Sequence, residues 1–317
     1  PPLLRPATCG GTLVIAFAGA DANLGGGIQG GVPSHEFVAS CRRAGVQHAI
    51  FVRDAMRAWY VRGLGGRGGS TFDGALELLR AEVAAVRPAR LVTMGSSMGG
   101  YAAARAGIAL GADAAVAFSP QVLVSPAARR DMSLPAAPFD SLLEGDAPPL
   151  RRPRSRRSVC PSSSPPLNSP PLPSLCRAER RPARSPPPPC AGLELACDAE
   201  GLHAASLVEA VREAPAGVRT LLEVHVGEDA PGDVAEAELL LEAVRERAGG
   251  SGEEDIRCEM TRHAGRDHNL VTDMRDTGEL HELLCRVLAP PSTAASEGDS
   301  GEGIPHEFVG FAECSDF

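Results

Sequence analysis

Short runs of apolar residues alternate along the chain with longer stretches of mixed apolar and polar residues. Apolar runs of roughly four to eight residues are typical of buried strands, whereas longer amphipathic stretches are typical of helices. The predicted strands are Thr12–Gly19, His48–Asp54, Arg90–Ser96, Asp113–Pro120, Arg219–Val226 and Ile256–Met260, the last opened by Asp255. The predicted helices are Ser34–Ala44, Ser70–Val86, Tyr101–Ala109, Leu202–Arg212, Val234–Ala248 and Gly278–Leu288. This alternation predicts an α/β fold: a mainly parallel sheet with helices on both faces.

One segment interrupts the alternation. Between Asp146 and Cys190 lie 14 of the chain's 28 prolines and nine arginines against one acid, Glu179. Such a composition cannot bury a core, so we expect disorder and interpret the segment as an insertion, or even a translated intron. The prediction is one α/β domain in two parts, 11–145 and 193–289, separated by the insert 146–192. A tail, 290–317, follows, and its end either docks or is disordered.

The run LVTMGSSMGGYAAAR (91–105) carries the most specific chemistry. Gly95 and Gly99 lie two residues on either side of Ser97, between a predicted strand and a predicted helix. The pattern G-x-S-x-G in this context is a nucleophile elbow, a turn too tight for bulky residues at the two glycine positions. Ser96 lacks such flanking glycines. We therefore predict Ser97 as a nucleophile, next to a helix N-terminus that favours a developing oxyanion.

A serine nucleophile needs a base and an acid that orients the base, and in sheets of this kind they follow in the order Ser, acid, His. The loop after the strand Arg219–Val226 carries Asp229 and Asp233. We favour Asp233, although it could instead cap the next helix. The loop after the last strand carries His263 and His268. We favour His268, because His263 follows the strand so closely that it should stay at the strand end.

Two further groups of residues are expected at the same edge of the sheet. An oxyanion hole needs a second N–H from the loop after an early strand, so we predict Gly19 or Ala20 together with the Met98 N–H. Trp59 and Tyr60 follow the strand His48–Asp54 at its carboxyl end, where ligands bind in such sheets. They are candidate substrate-binding residues. Packing in the core or at its rim is an equally good interpretation, because tryptophan and tyrosine are commonly buried.

Rival cofactor and metal motifs are weak. The loop Gly25–Gly30 matches G-x-G-x-x-G, but five residues separate it from the preceding strand, which a dinucleotide site does not allow. The chain has no lysine, which excludes a P-loop and a Schiff base. Neither His35-Glu36 nor His306-Glu307 is followed by a histidine at zinc-binding spacing. We therefore expect no cofactor and no metal.

Length, composition and charge narrow the remaining classes of function. A chain of 317 residues with 43% hydrophobic residues is long enough for one large domain. The net charge of −9 argues against nucleic acid as the main partner, and no run of about 18 apolar residues predicts a membrane span. No signal peptide is visible, and the nine cysteines contain no C-x-x-C. We favour a reducing, cytoplasmic location, and the sequence predicts no particular oligomeric state.

The segments GSSMGGYAA (95–103), AFSPQ (117–121), GEDAPGDVAEAELL (227–240) and HNLVTDMRDTGELHELL (268–284) resemble those of α/β-hydrolase-fold serine hydrolases. FVRDAMRAWYVRGLGG (51–66) resembles a segment of a poorly characterised subgroup. The resemblance covers about 11–125 and 218–288, and the insert stands in place of the usual cap. It implies Asp233 as acid, His268 as base, and hydrolysis of a small-molecule ester through an acyl-enzyme. Acyl transfer on the same fold and a non-catalytic binding module remain alternatives.

Overall fold

The computed structural model describes residues 11–20, 35–55, 57–64, 69–132, 134, 206–251, 256–289 and 312–313. Several predictions lie outside the described residues: the glycine loop Gly25–Gly30, Asp255 at the start of the last strand, the insert 146–192, and all but two residues of the tail 290–317.

The described strands form a single sheet in which every neighbouring pair is parallel. The strands are β1 (Thr12–Phe17), β2 (His48–Val52), β3 (Arg90–Ser96), β4 (Ala114–Phe118), β5 (Thr220–Gly227), β6 (Ile256–His263) and β7 (Ala312–Glu313). Their order across the sheet is β6-β5-β4-β3-β1-β2-β7. The two-residue β7 pairs with β2, so this part of the predicted tail docks on the edge of the sheet.

The described helices cover both faces of the sheet. They are α1 (Val38–Arg43), α2 (Phe72–Val86), α3 (Met98–Leu110), α4 (Pro126–Asp131), α5 (Leu207–Arg212), α6 (Pro231–Ser251), α7 (Leu270–Thr277) and α8 (Glu279–Leu288). Alternate residues of β1 point to opposite faces, as a strand requires. Leu13 and Ile15 belong to the buried cluster that includes residues of α2, α3, α5 and α6, while Val14 and Ala16 belong to a second cluster that includes residues of α1, α7 and α8. The predicted α/β architecture is confirmed.

Some element boundaries differ from the prediction. α6 begins at Pro231, three residues before the predicted start, because proline suits the first turn of a helix. β6 continues three residues beyond Met260, to His263. The apolar stretch after His268 forms α7, which the sequence analysis did not assign as a helix. The side chain of Thr71 caps α2 by accepting from the Gly74 N–H at 3.1 Å, so this helix begins at Phe72, two residues after the predicted start at Ser70.

The strand order determines where a site is expected. β1 lies between β2 and β3 in the sheet. The connection that leaves β1 therefore runs toward β2 on one side, whereas the connection that leaves β3 runs toward β4 on the other side. The loops that follow β1 and β3 therefore diverge, and they open a crevice at the carboxyl ends of these two central strands. Gly19 and Ala20 follow β1, and Ser97 follows β3. The topology alone thus brings these three residues to the same edge.

Candidate active site

Ser97 occupies a strained turn between β3 and α3. Its backbone has φ 54° and ψ −119°, in the region that non-glycine residues seldom adopt. Two backbone hydrogen bonds hold it there: the Ser97 N–H donates to Phe118 O at 2.8 Å, and the Tyr101 N–H donates to Ser97 O at 3.0 Å. The turn that the sequence predicts as a nucleophile elbow is therefore sharp and fixed from both neighbouring elements.

The two glycines of the motif are required by close backbone contacts. A Cβ at Gly95 would lie 2.1 Å from Gly99 O, and a Cβ at Gly99 would lie 2.3 Å from Phe17 O. Both separations are far inside van der Waals contact, and both neighbours are backbone atoms that cannot rotate away. Any side chain at either position would force β3, α3 and the end of β1 apart.

The structure brings Ser97, His268 and Asp233 together. The Oγ of Ser97 lies 3.0 Å from Nε2 of His268, and Nδ1 of the same ring lies 2.8 Å from Oδ2 of Asp233. With the proton on Nδ1, the imidazole donates to Asp233 and accepts from the Ser97 hydroxyl. The competing residues lie elsewhere: Asp229 is exposed, and His263 ends β6 with Nε2 at 3.2 Å from Nδ1 of His225.

Backbone contacts place the loop of Asp233 beside the loop of His268. The Glu228 N–H donates to His263 O at 3.0 Å, and the Asp229 N–H donates to Arg266 O at 2.9 Å. Gly227, the last residue of β5, is so close to the second loop that a Cβ would lie 2.2 Å from Arg266 O. These backbone contacts join the two loops and fix the separation of Asp233 and His268.

The surroundings of His268 favour its protonated form. The hydrogen bond that His268 donates to Asp233 raises the pKa of His268 above the usual 6.5, and it outweighs the opposing effect of burial. The charges of Asp233, Asp267 and Glu236 act in the same direction. A ring stabilised as imidazolium suits a group that accepts a proton from a serine and later returns it.

Two of the three predicted oxyanion residues, Met98 and Gly19, lie at the turn that holds Ser97. Met98 is the first residue of α3, so its N–H has no partner within the helix. The chain after β1 contacts the elbow directly, because a Cβ at Gly19 would lie 2.9 Å from Ser96 O. Ala20 is buried at 3% exposure. The structure thus places Met98 and Gly19 at the turn of Ser97, with Ala20 next to Gly19 in the chain, and the role of these residues as donors to an oxyanion stays a prediction.

Trp59 and Tyr60 are buried rather than open to solvent, each with 1% of its surface exposed. The Trp59 Nε1–H donates to Oε1 of Gln121, and the Tyr60 hydroxyl donates to Ala18 O at 2.8 Å. Oδ2 of Asp54 accepts from the Tyr60 N–H at 2.9 Å and so holds this turn in place. The placement favours the packing role for both aromatic residues, and contact with a substrate stays a prediction.

Glu236, which was not among the residues predicted from the sequence, lies three residues after Asp233 on α6 and is 2% exposed. It pairs with Arg129 on α4, which is 5% exposed. One signal could have found it. Glu236 precedes the buried Leu240 by four residues, so the carboxyl group lies on the apolar side of the helix, where an unpaired acid is costly.

Within the ranges that the structure describes, no group of three or more His, Cys, Asp or Glu side chains is arranged to hold a metal ion. None of the described helices combines the length and the hydropathy needed to cross a membrane.

Comparisons with known proteins give distant structural matches only. No family model and no curated protein matches the chain. An esterase of Pyrobaculum calidifontis is 13% identical, over 90% of this chain and 76% of that one, with a TM-score of 0.44. The carboxylesterase EstE1, from a metagenomic library, is 17% identical over 90% and 83%, with a TM-score of 0.45. The capsule O-acetyltransferase of Neisseria meningitidis serogroup A is 10% identical over 87% and 89%, with a TM-score of 0.47.

These TM-scores and identities are too low to assign the fold, so the assignment rests on the chain's own architecture. The parallel sheet is covered on both faces, and the turn at Ser97 joins its central strand β3 to α3. Asp233 and then His268 follow in chain order, each after a later strand of the same sheet. The chain has an α/β-hydrolase fold. Within that fold, β3 leads into the turn at Ser97, the first turn of α6 after β5 carries Asp233, and the loop after β6 carries His268.

Proposed function

We propose that this α/β-hydrolase-fold protein is a serine hydrolase that cleaves carboxylic esters through an acyl-enzyme. The observation that carries the proposal is the continuous pair of contacts from Ser97 Oγ to His268 Nε2 and from His268 Nδ1 to Asp233. Three side chains distant in sequence meet with the geometry that general-base activation of a serine requires.

The proposed reaction has two halves. His268 accepts the proton of the Ser97 hydroxyl as Oγ attacks the ester carbonyl, and the resulting oxyanion is bound by the Met98 N–H and by the N–H of Gly19 or Ala20. The carbon–oxygen bond to the alcohol then breaks, and His268 returns the proton to the leaving alcohol. In the second half, His268 accepts a proton from a water molecule as that water attacks the acyl carbonyl. The bond between the acyl carbon and Ser97 Oγ then breaks, His268 returns the proton to Oγ, and the acid is released. Asp233 keeps the ring oriented and stabilises the imidazolium in both halves.

A non-catalytic binding module on the same fold is the less favoured alternative. Such a module has no need for a nucleophile within hydrogen-bond reach of a base, which is about 2.6–3.2 Å. The 3.0 Å between Ser97 and His268 meets that requirement and counts against the alternative.

Covalent labelling tests the proposal directly. The folded protein is incubated with a fluorophosphonate probe, and the modified residue is located by mass spectrometry. We expect labelling at Ser97, its loss in Ser97→Ala, and its retention in the matched control Ser96→Ala, which removes the adjacent hydroxyl. Absence of labelling in the folded wild type, or equal labelling of Ser97→Ala, would refute the proposal.

The acceptor of the acyl group is tested separately. Acyl transfer to an alcohol would proceed through the same acyl-enzyme, so labelling does not distinguish it from hydrolysis. Esters of graded acyl length are turned over in water with and without an added alcohol, and the acid and the new ester are quantified. We expect the acid as the main product; a new ester that dominates at millimolar alcohol would assign the protein as an acyltransferase.

A further inference from the structure

Glu236 is held by three donors in a part of the molecule that the proposed reaction does not use. Its Oε2 accepts from the N–H groups of Val122 and Leu123, at 2.6 and 3.1 Å. Its Oε1 accepts from Nη1 of Arg129, which also contacts Leu123 O at 3.4 Å. Three donors directed at two oxygens match a carboxylate, an acceptor with no proton of its own. Glu236 therefore ties α6 to the segment that follows β4.

That segment also supports the nucleophile. β4 ends at Phe118, whose carbonyl accepts the Ser97 N–H at 2.8 Å. Four residues later, the Val122 N–H donates to Glu236, and Glu236 lies one helical turn from Asp233. The contacts form a closed circuit: Ser97 to Phe118, along the chain to Val122, across to Glu236, along α6 to Asp233, and back through His268. The first turn of α6 is thus fixed relative to the elbow by a route that does not include His268.

We propose that Glu236 is a positioning residue that holds Asp233 against His268, with Arg129 as the partner that keeps the Glu236 carboxylate in place. The inference rests on the proposed function for its catalytic consequence, although the positioning itself is a property of the folded protein. It assigns to a buried ion pair a role in the geometry of the site.

Stability is a weaker explanation of this pair. Burying two charges costs free energy that their attraction does not reliably recover, and apolar residues of similar volume often replace such pairs without loss of stability. The position of the pair is more informative: it joins the helix that carries Asp233 to the segment behind Ser97. The negative charge of Glu236 also contributes, after the hydrogen bond and charge of Asp233, to the raised pKa of His268.

Glu238 provides a matched control on the same helix. It lies two residues beyond Glu236, its side chain is 55% exposed, and it pairs with Arg262, which is also exposed. Glu238→Gln therefore removes the same charge as Glu236→Gln and, like that change, leaves the volume of the side chain nearly unchanged. It does so without touching the segment after β4.

The experiment measures the state of His268 in the folded protein by NMR. The readouts are the pKa of its ring and the low-field proton resonance of the Nδ1–H that Asp233 accepts, assigned by its loss in His268→Gln. In Glu236→Gln we expect a lowered pKa and a weakened or lost resonance, whereas Glu238→Gln should match the wild type. For a cleaved ester, we expect kcat about 10- to 100-fold lower in Glu236→Gln with KM nearly unchanged, the response to a displaced catalytic group.

Two further variants separate positioning from folding. Arg129→Lys keeps the charge and should affect His268 less than Arg129→Met does. The double variant Glu236→Gln with Arg129→Met removes both charges together and is measured if Glu236→Gln alone does not fold. A folded variant without the ion pair that keeps both His268 readouts at wild-type values would overturn the proposal, as would equal shifts in Glu236→Gln and Glu238→Gln.

The result also distinguishes this proposal from the proposed function. If the wild type is not labelled and cleaves no ester, yet Glu236→Gln still disturbs His268 while Glu238→Gln does not, the hydrolase proposal fails and the positioning role stands. If labelling at Ser97 succeeds and Glu236→Gln leaves His268 unchanged, the hydrolase proposal stands and the positioning proposal fails.

Discussion

Replacing Gly227 by alanine should misplace His268 by a distance that the structure allows one to calculate. The added Cβ would lie 2.2 Å from Arg266 O and 2.5 Å from Asp267 O, whereas a carbon and a carbonyl oxygen normally stay about 3.3 Å apart. The loop must therefore retreat by about 1 Å, and His268 follows Asp267 directly. Such a shift would lengthen the 3.0 Å contact of His268 with Ser97 to roughly 4 Å, beyond hydrogen-bond reach.

The expected cost of this misplacement is on the order of 100-fold in kcat, because displacing a reacting group by about 1 Å has an effect of that size. It corresponds to about 2.7 kcal/mol of transition-state stabilisation at ~1.36 kcal/mol per factor of ten. The assay is steady-state hydrolysis of the best ester from the chain-length series, with the melting temperature measured alongside to establish that the variant is folded.

Gly249→Ala is the control for this prediction. Gly249 lies on α6, and a Cβ there would meet no atom within 4 Å. Alanine should leave kcat unchanged and stabilise the helix by about 0.5–1 kcal/mol. A folded Gly227→Ala variant with kcat within about twofold of the wild type would refute the claim that the contact between Gly227 and Arg266 sets the position of His268.

Two other predictions concern the acid and the base. Asp233→Asn should lower kcat by about 10⁴-fold, as loss of the orienting acid does in serine hydrolases, while Asp229→Asn, at an exposed position, should stay within about twofold; the reverse order would assign Asp229 as the acid. Because His268 must be neutral to accept the Ser97 proton and its pKa is raised, kcat/KM should fall as the pH decreases through a value above 6.5. Asp233→Asn should move that decline to lower pH, and a wild-type decline below 6.5 would contradict the predicted environment of His268.

The sequence predicted the parts of the fold that depend on local pattern. β3 was predicted to the residue, and the glycines around Ser97 indicated the elbow, because no other residue fits the close contacts at Gly95 and Gly99. The length of β6 was harder to predict. Its polar residues alternate with partly buried ones at the edge of the sheet, so no continuous apolar run marks its end.

The site was predictable only in part, for a physical reason. Asp229 and Asp233 lie in one short segment, and only the start of α6 at Pro231 decides which carboxylate faces His268. The pairing of Glu236 with Arg129 joins residues 107 positions apart, across the insert, and the sequence contains no local pattern for such a contact. Long-range polar contacts depend on how the helices pack, and that packing is not encoded in any one segment.

At the strained turn of Ser97, the stability of the fold and the proposed activity favour different residues. A backbone at φ 54° and ψ −119° suits glycine, whereas a serine held there costs on the order of 1–3 kcal/mol. Selection for thermal stability alone would therefore favour glycine at position 97 and would discard the hydroxyl group on which the proposed chemistry depends. A screen for stabilised variants should leave this turn unchanged and look for gains elsewhere, for instance at open helical glycines such as Gly249.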